Sequence, residues 1–176
     1  MNRIGLVVFP GFQILDMAVA SVFELANLQV RSSAYEISVV SETGGAIKSS
    51  MGAEVNSIAL DPAAYDTLIV AGYIAVQAPS PRLLELLGRA LSSTRRMASI
   101  CTGAFILADA GILDGKRATT HWHFAKELQR RYPLVRVEED RIFVRDGVVW
   151  TSAGMTACID LALALVDQDL GVKSRN

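Results

Sequence analysis

The sequence predicts an α/β domain built on a mostly parallel sheet, and three observations carry that expectation. Short strand-like apolar runs alternate with helical patterns almost throughout. Glycine and proline punctuate the junctions between them. The chain has 176 residues, 51% of them hydrophobic, which suffices for one domain with a real core and is short for two.

Taken in order, IGLVVF (Ile4 to Phe9) is a β-branched run that reads as the first central strand, broken by Pro10-Gly11. QILDMAVASVFELANL follows with apolar residues at helical spacing. YEISVVS (Tyr35 to Ser41) alternates like a second strand. ETGGAIKSSMGAEVNSIAL contains Gly44-Gly45 and Gly52, so turns and a short hairpin are expected. Its GGAIKSSMG stretch lacks the order and ending of a phosphate-binding loop. DTLIVAG (Asp66 to Gly72) is a further buried strand.

Ser80 and Pro81 open a helix as N-cap and first helical residue, running to about Leu91. MASI is the strand before Cys101, GAFILADA the helix after it, and Gly111 a left-handed C-terminal cap. WHFAKELQRRY is amphipathic and stops at Pro133. RIFVRDGVVWTS is two strands joined by Asp146-Gly147, a hairpin signal. The last helix, MTACIDLALALVDQDL, ends at Gly171 and is followed by VKSRN, an ending compatible with one domain of a longer chain.

A net charge of −1 gives no chain-wide footprint for nucleic acid. Arg95-Arg96 and Arg130-Arg131 read as solvated helix ends. No apolar run approaches the length of a membrane span and the N-terminus lacks a signal-peptide layout, so the expected location is the cytoplasm, with no membrane partner. Cys101 and Cys158 are then expected to be thiols and not a disulfide. Cys158, on an apolar helix, reads as a small core residue.

Cys101 falls at the carboxyl end of a strand, where parallel sheets gather ligands. In Ser99-Ile100-Cys101-Thr102-Gly103 the cysteine is flanked two positions away by small residues, the steric requirement of a sharp strand-to-helix turn that presents a nucleophile. The following helix would direct N–H groups at the sulfur and lower its pKa. The histidine that usually activates such a thiol is absent; the next residue is Thr102. Asp16 reads equally as a helix-start hydrogen-bonding group or as a pocket carboxyl able to move a proton. His121 and His123 would share a direction in a strand, but no further ligands stand out and no metal is expected.

VVFPGFQILDMA, DTLIVAG, SICTGAFILADAGILDGKRATTHW and FVRDGVVWTSAGMTACIDLALALV together resemble the ThiJ/PfpI group of the class I glutamine-amidotransferase-like superfamily. The resemblance runs over nearly the whole chain. It implies a flavodoxin-like three-layer sandwich with Cys101 on a strand-Cys-helix nucleophile elbow, and residues 1–176 as a single domain. TTHW and the closing VWTSAGMTACIDLALALV look most like the N-terminal domain of AraC-type transcriptional regulators. There the fold precedes a helix-turn-helix domain, which would be the route to DNA. A second relative is isonitrile hydratase.

By that resemblance Cys101 takes the elbow position and Asp16 the acidic position facing it. Thr102 matches the neighbouring threonine, and His121 lies near the pocket mouth. Gly72 lies in a glycine turn that supplies backbone donors opposite the sulfur. Relatives carry two or three glycines there; Ala71-Gly72-Tyr73 departs from that, and the bulk of Tyr73 argues against a working oxyanion hole. The function expected is therefore a dimerising sensor domain that holds a small metabolite at Cys101, Asp16, Gly72, Tyr73, Thr102 and His121, without a cofactor. The alternative is a cysteine-dependent lyase in which Cys101 attacks while Asp16 and Thr102 assist.

Overall fold

The computed structural model describes residues 1–30, 33–75 and 77–171; the closing VKSRN lies outside them. Strand β1 (Asn2–Val7) leads through Pro10-Gly11 into a 3-10 turn (Ile14–Met17) and helix α1 (Ala18–Val30). β2 (Tyr35–Ser41), the hairpin β3 (Gly45–Lys48) and β4 (Glu54–Ala59), and β5 (Thr67–Val70) follow. Then come α2 (Pro81–Leu91), β6 (Arg96–Ser99) and α3 (Gly103–Asp109). After them stand the two-residue β7 (Arg117–Ala118), a 3-10 turn (Trp122–Phe124), α4 (Ala125–Arg131) and β8 (Arg136–Val137). The hairpin β9 (Phe143–Asp146) and β10 (Val149–Ser152) and helix α5 (Ala157–Leu170) complete the order.

An eight-stranded sheet runs β3-β4-β2-β1-β5-β6-β10-β9. β4, β2, β1, β5, β6 and β10 are parallel, while β3 and β9 close the two edges antiparallel. This is the flavodoxin-like α/β sandwich that the resemblance implied. β7 and β8 pair separately, and neither carries a signal in the sequence.

β5 (TLIV) is buried along its whole length, which is why it reads as a largely apolar run, and β6 (RMAS) is equally buried although it opens on Arg96. One core layer joins β1, β5 and β6 to α2, α3 and α4 through Leu83, Leu87, Phe105 and Leu128. The other joins them to α1 and α5 through Phe23, Cys158, Leu161 and Leu165. Each such large side chain contributes roughly 1.5–3 kcal/mol on burial. Ser80 caps α2 as expected, its Oγ accepting from the Arg82 and Leu83 N–H groups, with Pro81 at the first position. Gly111 takes φ +75° just beyond α3.

Three local expectations are corrected. The first helical run divides, so Asp16 lies in the 3-10 turn ahead of α1. His121 and His123 are not in a strand: His121 caps the 3-10 turn, its Nδ1 accepting from the His123 N–H at 3.2 Å. Arg96 is no solvated helix end. It lies in β6, 3% exposed, donating to Thr67 Oγ1 (2.9 Å), to Gln168 Oε1 (3.0 Å) and to Asp169 Oδ2 (2.7 Å). This arginine fastens the last turn of α5 to the sheet.

Candidate functional site

The chain leaves β6 at Ser99, and Ile100 N–H still donates to Val70 O at 3.0 Å, as a strand residue would. One residue later the backbone reverses. Cys101 has φ +52°, left-handed for a residue with a side chain, and α3 starts at Gly103. A Cβ on Gly103 would fall 2.5 Å from Val70 O, so the small residue demanded two positions after the cysteine is required by the neighbouring strand end. Thr120 Oγ1 donates to Cys101 O at 2.8 Å and pins the far side of the turn. Together these contacts hold the strained cysteine in place.

The turn opens on a cleft of about 210 Å³ lined by Asp16, Tyr73, Cys101, Thr102 and His121, with Phe124 and Met155. Cys101 is partly buried and lines it. Gly72 lies behind this wall. A Cβ there would sit 2.7 Å from Thr102 Oγ1, 2.8 Å from Thr102 N and 3.0 Å from the Cys101 Cβ. Its φ is not positive, so the glycine is needed for close approach and not for a special conformation.

The backbone donors of this turn are not turned toward an open space. Gly72 N–H donates to Asp16 Oδ2 at 2.7 Å. Tyr73 N–H donates to Thr102 Oγ1 at 2.7 Å, and that hydroxyl donates back to Tyr73 O at 2.7 Å. Gly72 therefore does not offer its donor opposite the sulfur, and the Thr102 hydroxyl is clamped to a peptide group. Tyr73, 3% exposed, is a packed wall and not a flap.

Asp16 is 2% exposed. Burial raises its pKa to about 7, and the Gly72 hydrogen bond opposes this only in part. Its carboxyl lines the cleft and anchors the Gly72 N–H 56 residues away, while the start of the 3-10 turn is capped by Gln13 and not by Asp16. The expected fall in the Cys101 pKa is reversed. Burial and the neighbouring Asp16 charge raise it to about 11, outweighing the Thr102 backbone and hydroxyl and the Met155 backbone, which lower it. A three-turn dipole is not available either, since α3 has only 7 residues. Cys158 is buried at 1% exposure and close enough to Asp16 for that charge, after burial itself, to raise its thiol to about 11 as well.

His121 overhangs the cleft. Burial and His123 lower its pKa, and with Nδ1 accepting from His123 the neutral ring carries its proton on Nε2. A Cβ on Gly154 would collide with this ring, so Gly154 fixes where His121 lies. Gly154, Met155 and Thr120 are site residues that the sequence reading did not single out. Gly154-Met155 and Thr120 stood inside the quoted SAGMTA and TTHW motifs, but only the fold brings them to Cys101. Leu15, Ile74 and Met155 of the lining are exposed apolar side chains, and the exposed Trp122 ring stacks on His121. Among the described residues no group of three or more His, Cys, Asp or Glu is placed to hold a metal.

Comparison with known proteins gives this geometry a lineage. The chain is 37% identical over 166 residues to the HTH-type transcriptional regulator CdhR of Pseudomonas aeruginosa, covering 92% of this chain and 49% of that one. It thus spans about half the length of that regulator. It is 33% identical over 175 residues to isonitrile hydratase of Pseudomonas putida, covering 97% of this chain and 73% of the enzyme. Its fold matches the crystal structure of an AraC family transcriptional regulator from Pseudomonas putida at a TM-score of 0.86 and 24% identity, covering 99% and 95% of the two chains. The sequence model of the DJ-1/PfpI family matches residues 2–168, and the chain is a member of that family.

Proposed function

We propose that this domain is the ligand-sensing part of an AraC-like transcriptional regulator, holding a small metabolite in the cleft beside Cys101. DNA would be reached through a helix-turn-helix domain outside this chain. The observation that carries the reading is the engagement of both backbone donors of the 72–73 turn, Gly72 by Asp16 and Tyr73 by Thr102. A cysteine that attacks an electrophilic carbon needs donors aimed at the charge that develops there. Here those donors stabilise the resting site, and the thiol is held in its neutral form near pH 7.

The cleft suits recognition. It combines a buried carboxyl near its midpoint of titration, an imidazole and apolar walls around a small volume of about 210 Å³. The ligand would act by differential affinity for two arrangements of the full protein. The domain would work as a homodimer in the cytoplasm. Exposed Leu25 and Leu28 on α1 and Leu163 on α5 support self-association.

The lyase reading keeps one observation in its favour: Cys101 is strained at an elbow, with Asp16 able to carry a proton near neutral pH. One experiment separates the two. Metabolites are screened for a rise in Tm, and small isonitriles are assayed for turnover with the wild-type chain and Cys101→Ala. The sensor reading expects a metabolite that raises Tm and no isonitrile turnover. Turnover abolished by Cys101→Ala overturns it.

A further inference from the structure

A second cavity, of about 310 Å³, opens at the carboxyl ends of β1 and β2. Such ends are where parallel sheets bind ligands. Its walls are mainly apolar, with Val8, Phe9, Ile47, Leu83 and Ile106 among them. It is separate from the cleft beside Cys101, and the two share Tyr73 as their common wall.

The polar groups of this cavity are unequal. Ser41 Oγ is bonded to Ser57 Oγ at 2.7 Å and accepts from Gly44 N–H at 2.9 Å. Tyr73 OH donates to Gln77 O at 3.0 Å. Ser80 Oγ caps α2, so the first N–H groups of that helix are already satisfied and offer nothing to an anion. Glu42 differs. Among the described lining residues it is the one that carries a charge, it is partly buried, and no described residue gives its carboxylate a hydrogen bond or an ion pair. A carboxylate beside a largely apolar cavity with no cation of its own is complementary to a cation brought by a ligand.

We infer that this cavity is a second binding site that takes a small organic cation, an amine whose carbon skeleton lies against Phe9, Leu83 and Ile106 and whose charge meets Glu42. The inference is independent of whether the Cys101 cleft senses or reacts. Because Tyr73 walls both cavities and its peptide is clamped to Thr102, occupancy here bears on the turn that holds Cys101.

The test uses hexylammonium, hexanol and hexanoate with the 176-residue chain, followed by titration calorimetry. Hexylammonium binds, and the alcohol and the carboxylate of the same skeleton bind at least about tenfold more weakly. Glu42→Gln weakens hexylammonium by about tenfold or more, while Glu139→Gln, a carboxylate outside the cavity, leaves it unchanged. In the wild-type chain, bound hexylammonium gives intermolecular NOEs to the Leu83 methyl groups, a readout that requires no variant to fold. Equal binding of hexanol or hexanoate, unaltered binding in Glu42→Gln, or NOEs that miss Leu83 overturns the proposal.

Discussion

Among the described residues two other than glycine adopt left-handed backbone, Cys101 at φ +52° and Met155 at φ +57°, and both line the cleft, where the Met155 backbone N–H favours the thiolate of Cys101. Two unfavourable conformations on distant parts of the chain thus support one contact. Met155 is 57% exposed, so its side chain contributes little packing. Met155→Gly should leave stability unchanged or raise it by up to about 1 kcal/mol, because glycine removes the left-handed penalty while adding entropy to the unfolded chain. Urea denaturation measures this. A loss beyond about 1 kcal/mol would show that the methionine side chain matters to the turn.

Gly72→Ala is expected to cost about 1–3 kcal/mol, as overpacking does, since the new methyl meets Thr102 backbone as well as its hydroxyl. The same change should alter the rate at which Cys101 reacts with an alkylating reagent. Unchanged stability and unchanged thiol reactivity would show that the turn can relax away from Cys101.

Asp16 gives a signed pH dependence. Its pKa is raised from 3.8 to about 7 by burial, so the fold prefers the neutral acid. That preference stabilises fully below about pH 4, when folded and unfolded chains are both protonated, and is lost as pH rises through 7. Its size is on the order of 4 kcal/mol. Asp16→Asn keeps an acceptor for Gly72 N–H and should abolish this slope, which is checked by denaturant unfolding from pH 4 to 8. Retention of the wild-type slope in Asp16→Asn would place the titration elsewhere.

Cys101 should alkylate slowly at pH 8, with a rate that climbs about tenfold per pH unit toward 11. After burial, the Asp16 charge is the second cause of the high pKa. Asp16→Asn should therefore speed alkylation at pH 8 several-fold. A rate indifferent to this substitution would mean that burial alone governs the thiol.

The Asp169 side chain lies 1% exposed between Arg96 and Arg95 and accepts from Tyr35 OH at 3.0 Å. Burial opposes its charge, but the arginine bonds outweigh burial and hold its pKa below the usual range. Asp169→Ala strands the buried Arg96 guanidinium and should cost about 3–5 kcal/mol. The contribution of Asp169 should be present above about pH 4 and fall as pH drops through its lowered pKa. A loss under about 1 kcal/mol would show that water reaches Arg96 in the variant.

Much of this fold was legible because its determinants are local. The β-branched runs at Ile4 and Thr67, the Ser80-Pro81 start and the Asp146-Gly147 turn each act within a few residues. The sharp turn at Cys101 was legible from Ser99 and Gly103 for the same reason, since the crowding that demands small residues is built into a strand-to-helix reversal. What escaped depends on contacts far apart in the chain. The fate of the Gly72 N–H is settled by a residue 56 positions away, and the thiol pKa by how deeply Asp16 is covered. Arg96 looked like half of an exposed basic pair because its partner, Asp169, is 73 residues distant. β7 and β8 are two residues long and carry no periodicity at all.

Trp122 gives the molecule a built-in optical gauge. The chain has only two tryptophans, and Trp150 is 5% exposed and stacked on Phe143, where its emission is shielded from solvent. Trp122 stands 71% exposed with its ring 5.6 Å from that of His121, one of the groups overhanging the cleft. A guest that shifts or charges the imidazole will change quenching of the red-shifted indole while the blue one stays constant, so filling of the cleft can be followed by fluorescence with no attached dye.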